Sequence, residues 1–141
     1  MFRTWIALAA LLLLCVSCRS AESVDMASVD PRGWSEAVRV EVENRDTLSL
    51  RKMSVVIRYN SSFKGSELPL LIAVQSPDSC LFEERITLPT QGLATAKIVS
   101  EVASLPYREE VLLARSGDYI FTFTPVEEMC GVEAIGVEIK R

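Results

Sequence analysis

Apolar and polar residues alternate over short stretches through most of this chain. Val38, Val40 and Val42 fall on one side and Arg39, Glu41 and Glu43 on the other, the period of a strand with one face in a core. The same period sets Met53, Val55, Ile57 and Tyr59 against Ser54, Val56 and Arg58. Turn-forming residues at 60–62 and 65–66 lead into an apolar run over 68–74. Ser-Pro-Asp-Ser at 76–79 predicts a turn, 81–88 a further strand, and 89–92 its end. Residues 94–105 fit a helical face or a strand and are read as strand, followed by a strand over 107–113 and a turn at 116–118. Tyr-Ile-Phe-Thr-Phe-Thr over 119–124 is strongly β-prone. Pro125, with Glu127 and Glu128 behind it, predicts one helical turn over 125–129. Residues 132–139 predict the closing strand, with a bulge or bend between Val132 and Ile135 and a close backbone approach at Gly136. Seven to eight short strands without long helical stretches predict an all-β antiparallel sandwich spanning 33–141.

The N-terminus follows a different rule. Arg3, the apolar run 5–16 and Ser17-Cys18 have the order of a bacterial lipoprotein signal, in which a small residue precedes the cysteine that is acylated. Residues 1–17 are then the signal peptide and Cys18 the lipidated first residue of the mature chain. Cys15 is a poor acceptor because Leu14 precedes it. The competing readings are an ordinary secretory signal and a retained anchor, and the run is shorter than the roughly 20 residues a spanning helix needs. Residues 18–32, rich in Ser, Ala, Glu and Asp, are read as the lipidated N-terminus and a flexible tether, with the domain starting at Gly33 and Trp34.

Composition narrows the chemistry. The chain has 141 residues, a formal net charge of -4 and no histidine. One domain fits in the mature length, the acidic balance argues against nucleic acid, and a histidine-based triad or dyad is excluded. No P-loop or glycine-rich dinucleotide fingerprint is present, so no cofactor is expected. Once Cys15 is discarded and Cys18 acylated, Cys80 and Cys130 remain, as a disulfide or as two separate thiols. Two cysteines without histidine do not make a zinc or iron set. The acidic pairs Glu83-Glu84, Glu109-Glu110 and Glu127-Glu128 hold carboxylates of the kind glycoside hydrolysis uses, but neighbours on a strand point to opposite faces. Trp34, Tyr59, Phe63, Tyr107 and Tyr119 are candidates to stack on sugar rings, with core packing the stronger reading.

Gly117-Asp118-Tyr119-Ile120-Phe121-Thr122-Phe123, then Glu128-Met129, then the segment from Gly131 through Gly136 to Ile139, resemble the C-terminal part of the gliding-motility lipoprotein H family of Bacteroidota. Val29-Asp30 with Gly33-Trp34, and Ile57-Arg58-Tyr59-Asn60 with Phe63 and Leu68, resemble its start and its arginine-bearing strand. The matches keep their order over most of the mature chain. The chain departs from the family at Cys130, which stands directly between Met129 and Gly131, and at Gln91-Gly92, where the family has a tryptophan-and-glycine motif. The resemblance implies a divergent member: a non-enzymatic cell-envelope lipoprotein, held to a membrane, the outer one by expectation, through the lipid on Cys18 and facing the periplasm or the cell surface. Its partner would be an envelope protein complex of gliding motility or the associated secretion machinery. The alternative is a surface glycan-binding lipoprotein. The discriminating feature is the surface: exposed aromatics in a groove for a glycan, a flat apolar or β-edge patch for a protein.

Overall fold

The computed structural model describes residues 23–91, 93 and 100–141. The signal segment, Cys15, Cys18, Gly92 and residues 94–99 lie outside the described residues. Eight strands follow one another: β1 (Ser23–Ser28), β2 (Val38–Asn44), β3 (Arg51–Tyr59), β4 (Glu67–Gln75), β5 (Leu81–Pro89), β6 (Glu101–Val111), β7 (Gly117–Pro125) and β8 (Val132–Lys140). The first pairs with the last, the second with the seventh, the third with the sixth and the fourth with the fifth, all antiparallel. The chain is thus one long hairpin, folded at residues 76–80 and wound so that most successive strands cross between two sheets, β1-β8-β3-β6 and β2-β7-β4-β5. An eight-stranded double sheet wound this way is a jelly roll.

The alternation seen in the sequence decides what fills the space between the sheets. Val40 and Val42 of β2, Tyr119, Phe121 and Phe123 of β7, and Leu68, Leu70 and Ile72 of β4 face Met53, Val55, Ile57 and Tyr59 of β3 and Val132, Ile135, Val137 and Ile139 of β8, all buried. Each large side chain removed from water here contributes about 1.5–3 kcal/mol. Val56 lies in the outward register of β3 and is nevertheless buried, so that face of β3 is not uniformly polar. The expected bulge in the closing strand is present: Arg58 opposes Ala134 while Tyr59 opposes Val132, leaving Glu133 as the extra residue.

Three expectations are corrected. Residues 23–28, read as part of a flexible tether over 18–32, form edge strand β1 along β8. Their weak apolar content hid them. What admits them is Gly136, where a Cβ would sit 2.0 Å from the Asp25 carbonyl oxygen; the missing side chain lets β1 approach. Residues 29–34 are fastened too, through Val29 N to Glu133 O (3.0 Å) and Gly131 N to Pro31 O (2.7 Å). Second, residues 125–129 form no helical turn. Pro125 is the last residue of β7, opposite Leu70, and Met129 makes an antiparallel bridge to Trp34, which takes the backbone groups a helical turn would use. Third, residues 101–111 are one strand and not the ends of two. Pro106 is tolerated inside it because β6 is an edge strand.

Candidate functional site

The edge strands β5 and β6 lie on the same side of the sandwich but in different sheets, and they close only part of the seam between them. At an inward position of β5, level with Ile72 and Phe123, stands Glu84. Its carboxylate accepts hydrogen bonds from the Tyr107 hydroxyl and the Arg108 guanidinium of β6, and Arg108 also stacks over the Tyr107 ring at 4.7 Å. Burial, reinforced by the Glu84 carboxylate, pushes the Tyr107 hydroxyl well above the usual phenol range, so it stays protonated and keeps donating. This cluster latches the seam. Two register shifts between β3 and β6, around Met53, bend the second half of β6 beside it.

Below the latch the seam opens into a groove of about 500 Å³. Met53, Val74, Val111, Leu113, Tyr119 and Phe121 are among its lining residues, with Leu81, Phe82 and Leu112 at the mouth. Phe82 occupies an inward position of β5, opposite Val74, yet is 53% exposed at the open side of the groove. An apolar floor between two edge strands suits an extended apolar segment.

The structure places the residues singled out in the sequence as follows. Trp34 is 3% exposed, its indole N–H donating to the Glu36 carbonyl at 2.7 Å. Tyr59 is buried and meets Phe63 edge-on at 5.8 Å; Tyr119 is buried and Tyr107 half-buried. Phe63 is half-buried as well, so none of the five is a fully exposed ring. Glu83 and Glu84 point to opposite sides of β5, Glu109 lies 4.0 Å from Lys52, and Glu127 and Glu128 are exposed in the connection after β7. The bridge between Cys80 and Cys130 is not formed: both thiols are free and exposed. Cys80 adjoins Leu81, in the row of Gln75 and Ile120, and Cys130 follows the far end of β7, so at least the five residue steps from Ile120 to Pro125, about 17 Å of strand, separate them, against the roughly 7 Å a disulfide permits. The Cys130 thiol donates instead to the Arg32 carbonyl at 3.1 Å.

Sequence reasoning passed over a second constellation, in the loops beside the groove. Asn44 and Arg51 are buried. The Asn44 amide donates to the carbonyls of Leu113 (3.0 Å) and Arg115 (2.8 Å) and its oxygen accepts from the Arg51 guanidinium. That guanidinium also donates to the Asp46 carbonyl at 3.1 Å. The Asp46 carboxylate caps the turn by accepting from the amides of Ser49 (3.0 Å) and Leu48 (3.1 Å). These amides, and then the Arg141 guanidinium, hold Asp46 well below the usual carboxylate range. An Asn-Arg-Asp run followed by an alternating Leu-Ser-Leu reads in sequence as an ordinary turn, and only the buried partners reveal a clamp. Among the described residues no group of three or more Cys, Asp and Glu is arranged to hold a metal ion, and no helix is long and apolar enough to cross a membrane.

Fold and seam together define the protein as a jelly-roll sandwich with a latched, partly open groove, an architecture that hosts many unrelated functions. The chain matches no family model and no curated protein.

Proposed function

We propose that this protein is a non-enzymatic, lipid-anchored component of the cell envelope, divergent within the gliding-motility lipoprotein H family, which works by holding a segment of a protein partner from a motility or associated secretion machine. The anchor half of the reading rests on Ser17-Cys18 at the end of the apolar run. The partner half rests on one observation, the apolar groove between two edge strands. A glycan reader would need exposed aromatics facing one another, and among the described residues of the groove Phe82 is the only largely exposed ring.

Two measurements test the halves separately. Cys18→Ala should abolish palmitate labelling and membrane retention; normal labelling of the variant would end the anchor reading. Cross-linking of the native lipoprotein in cells, followed by purification, should recover components of a motility or secretion apparatus, and Phe82→Asp should lose them with the fold intact. Failure to recover any such component, together with retention on envelope polysaccharide, would transfer the protein to the glycan-binding alternative.

A further inference from the structure

Exposed apolar side chains are unevenly spread over the sandwich. Of the ten large ones among the described residues, Leu48, Leu50, Leu81, Phe82 and Leu112 all lie at the end formed by the β2–β3, β4–β5 and β6–β7 connections. The opposite end, formed by the β1–β2, β3–β4, β5–β6 and β7–β8 connections, carries two among the described residues, Val126 and, at the start of β6 opposite Arg58, Val102. Leu48 is 90% exposed, Leu50 59% and Leu112 50%. Arg51 opposes Val111 at the ends of β3 and β6, and Leu50 and Leu112 are the residues immediately beyond that pair. Leu48 is not on a loose loop: the Asp46 carboxylate fixes the turn and the buried Asn44 and Arg51 fix its base. A clamped turn that holds a leucine out in water has a standing cost in hydration, and a covering surface removes it.

The chain's own connectivity says what that surface is. β1 begins at Ser23, in the row of Ile139 and Met53, and runs away from this end. Residues 19–22 are all that separate Ser23 from Cys18, so five residue steps reach at most about 18 Å. Leu50 lies three residues beyond the Met53 row, about 10 Å further toward the anchor. With the strands upright, the leucines therefore stand at most about 8 Å from the plane where an acylated Cys18 would sit. Any slack in the leash brings them into contact.

We infer that this end of the sandwich rests on the bilayer, with Leu48, Leu50 and Leu112 seated among the lipid headgroups; this builds on the assignment of the lipid to Cys18. The seat is apolar and not electrostatic. Arg45, Lys52, Arg115, Lys140 and Arg141, which surround it, each face a carboxylate, Glu43, Glu109, Asp78, Glu138 and Asp46 respectively. Contact should be insensitive to the fraction of anionic lipid and to salt, unlike a polybasic surface. The groove mouth, at Leu81, Phe82 and Leu112, then opens beside the membrane.

The test uses the native acylated protein reconstituted into phosphatidylethanolamine vesicles with and without phosphatidylglycerol, with brominated acyl chains as quenchers. Tryptophan is introduced one site at a time by Leu48→Trp, Leu112→Trp, Met26→Trp and Val126→Trp; Trp34 is buried and supplies a constant background. Expected is a several-fold stronger lipid quenching at positions 48 and 112 than at 26 and 126, equal in both vesicle types. Quenching at 26 in place of 48 would mean the sandwich lies on its β1 side, and protection of 48 from aqueous quencher without lipid quenching would mean that a protein covers it; either overturns the inference while the palmitate label leaves the anchor standing. Absence of the label removes the anchor and the inference together.

Discussion

The two ends of this sandwich are ordered by different means. At the far end the connections are sewn mostly by backbone, with the buried Thr90 hydroxyl, donating to the Gly65 carbonyl at 2.6 Å, and the Cys130 thiol as side-chain additions. Trp34 and Met129 exchange hydrogen bonds of 2.8 and 3.0 Å, Asn60 N donates to Gly131 O at 2.8 Å, and Gly131 N donates to Pro31 O at 2.7 Å. At the groove end two buried side chains, Asn44 and Arg51, tie the β2–β3 turn to the β6–β7 connection. Backbone sewing tolerates most side-chain changes because each donor and acceptor belongs to the main chain. A side-chain clamp concentrates the order in a few atoms, and leaves the outward residues of its loops free to be apolar.

Four measurements sharpen or break this contrast. The largest effect is expected where the backbone itself leaves no room. Gly131 has φ +88° and a Cβ there would sit 2.1 Å from the Phe63 nitrogen, so Gly131→Ala combines left-handed strain with a main-chain collision and should cost about 3–5 kcal/mol in chemical denaturation. A loss under 1 kcal/mol would show that the far end yields, and that its stitching is not what orders it.

Next comes the clamp. Asn44→Ala leaves two carbonyls and the Arg51 guanidinium without their buried partner and should cost about 2–4 kcal/mol. Amide exchange should quicken at residues 45–50 and 112–116 and stay unchanged at 60–66 and 126–131. Faster exchange at both ends would break the comparison.

A smaller, local effect is expected at the β1 edge. Gly136→Ala puts a methyl group where the Asp25 carbonyl stands, and should lift residues 23–28 off β8 at a cost of about 1–3 kcal/mol. The readout is lost protection of those amides while the rest of the sandwich keeps its cooperative transition. Loss of the whole transition would make β1 part of the core and not an appended edge.

The smallest effect is a pH dependence with two signs. Asp46 and Asp78 at the groove end, and Asp30 and Glu133 at the far end, are held below their ordinary values mainly by hydrogen bonds to their carboxylates. Their contribution is present above the unfolded carboxylate range near pH 4 and is lost as pH falls below it. Asp25 is opposite: partial burial raises it, so its contribution is full below the unfolded value and is lost as pH rises through the folded one. Asp25→Asn should therefore steady β1 at pH 7 and make no difference at pH 3, by exchange of residues 23–28. A variant that destabilised β1 at pH 7 would reverse the assignment.

What the sequence determined by itself is the set of local periods and the chemistry it excludes. Val38 to Val42, Met53 to Tyr59 and Tyr119 to Phe123 could be assigned to faces residue by residue because a strand alternates regardless of its partners. The bulge near Glu133 and the tight approach at Gly136 were legible for the same reason, as breaks in a period. Tertiary structure decided everything that depends on which distant segments meet. Only the winding of the hairpin puts Ser23–Ser28 against Gly136, sends Cys80 and Cys130 to opposite ends, and gives Met129 a bridge to Trp34 in place of a helical turn. The groove and the clamp belong to this second kind. Glu84, Tyr107 and Arg108, or Asn44, Arg51 and the Leu113 carbonyl, are ordinary residues in their own strands and loops; they become a latch and a clamp only where the winding brings them together, and for the buried Asn44 and Arg51 desolvation makes each need the other.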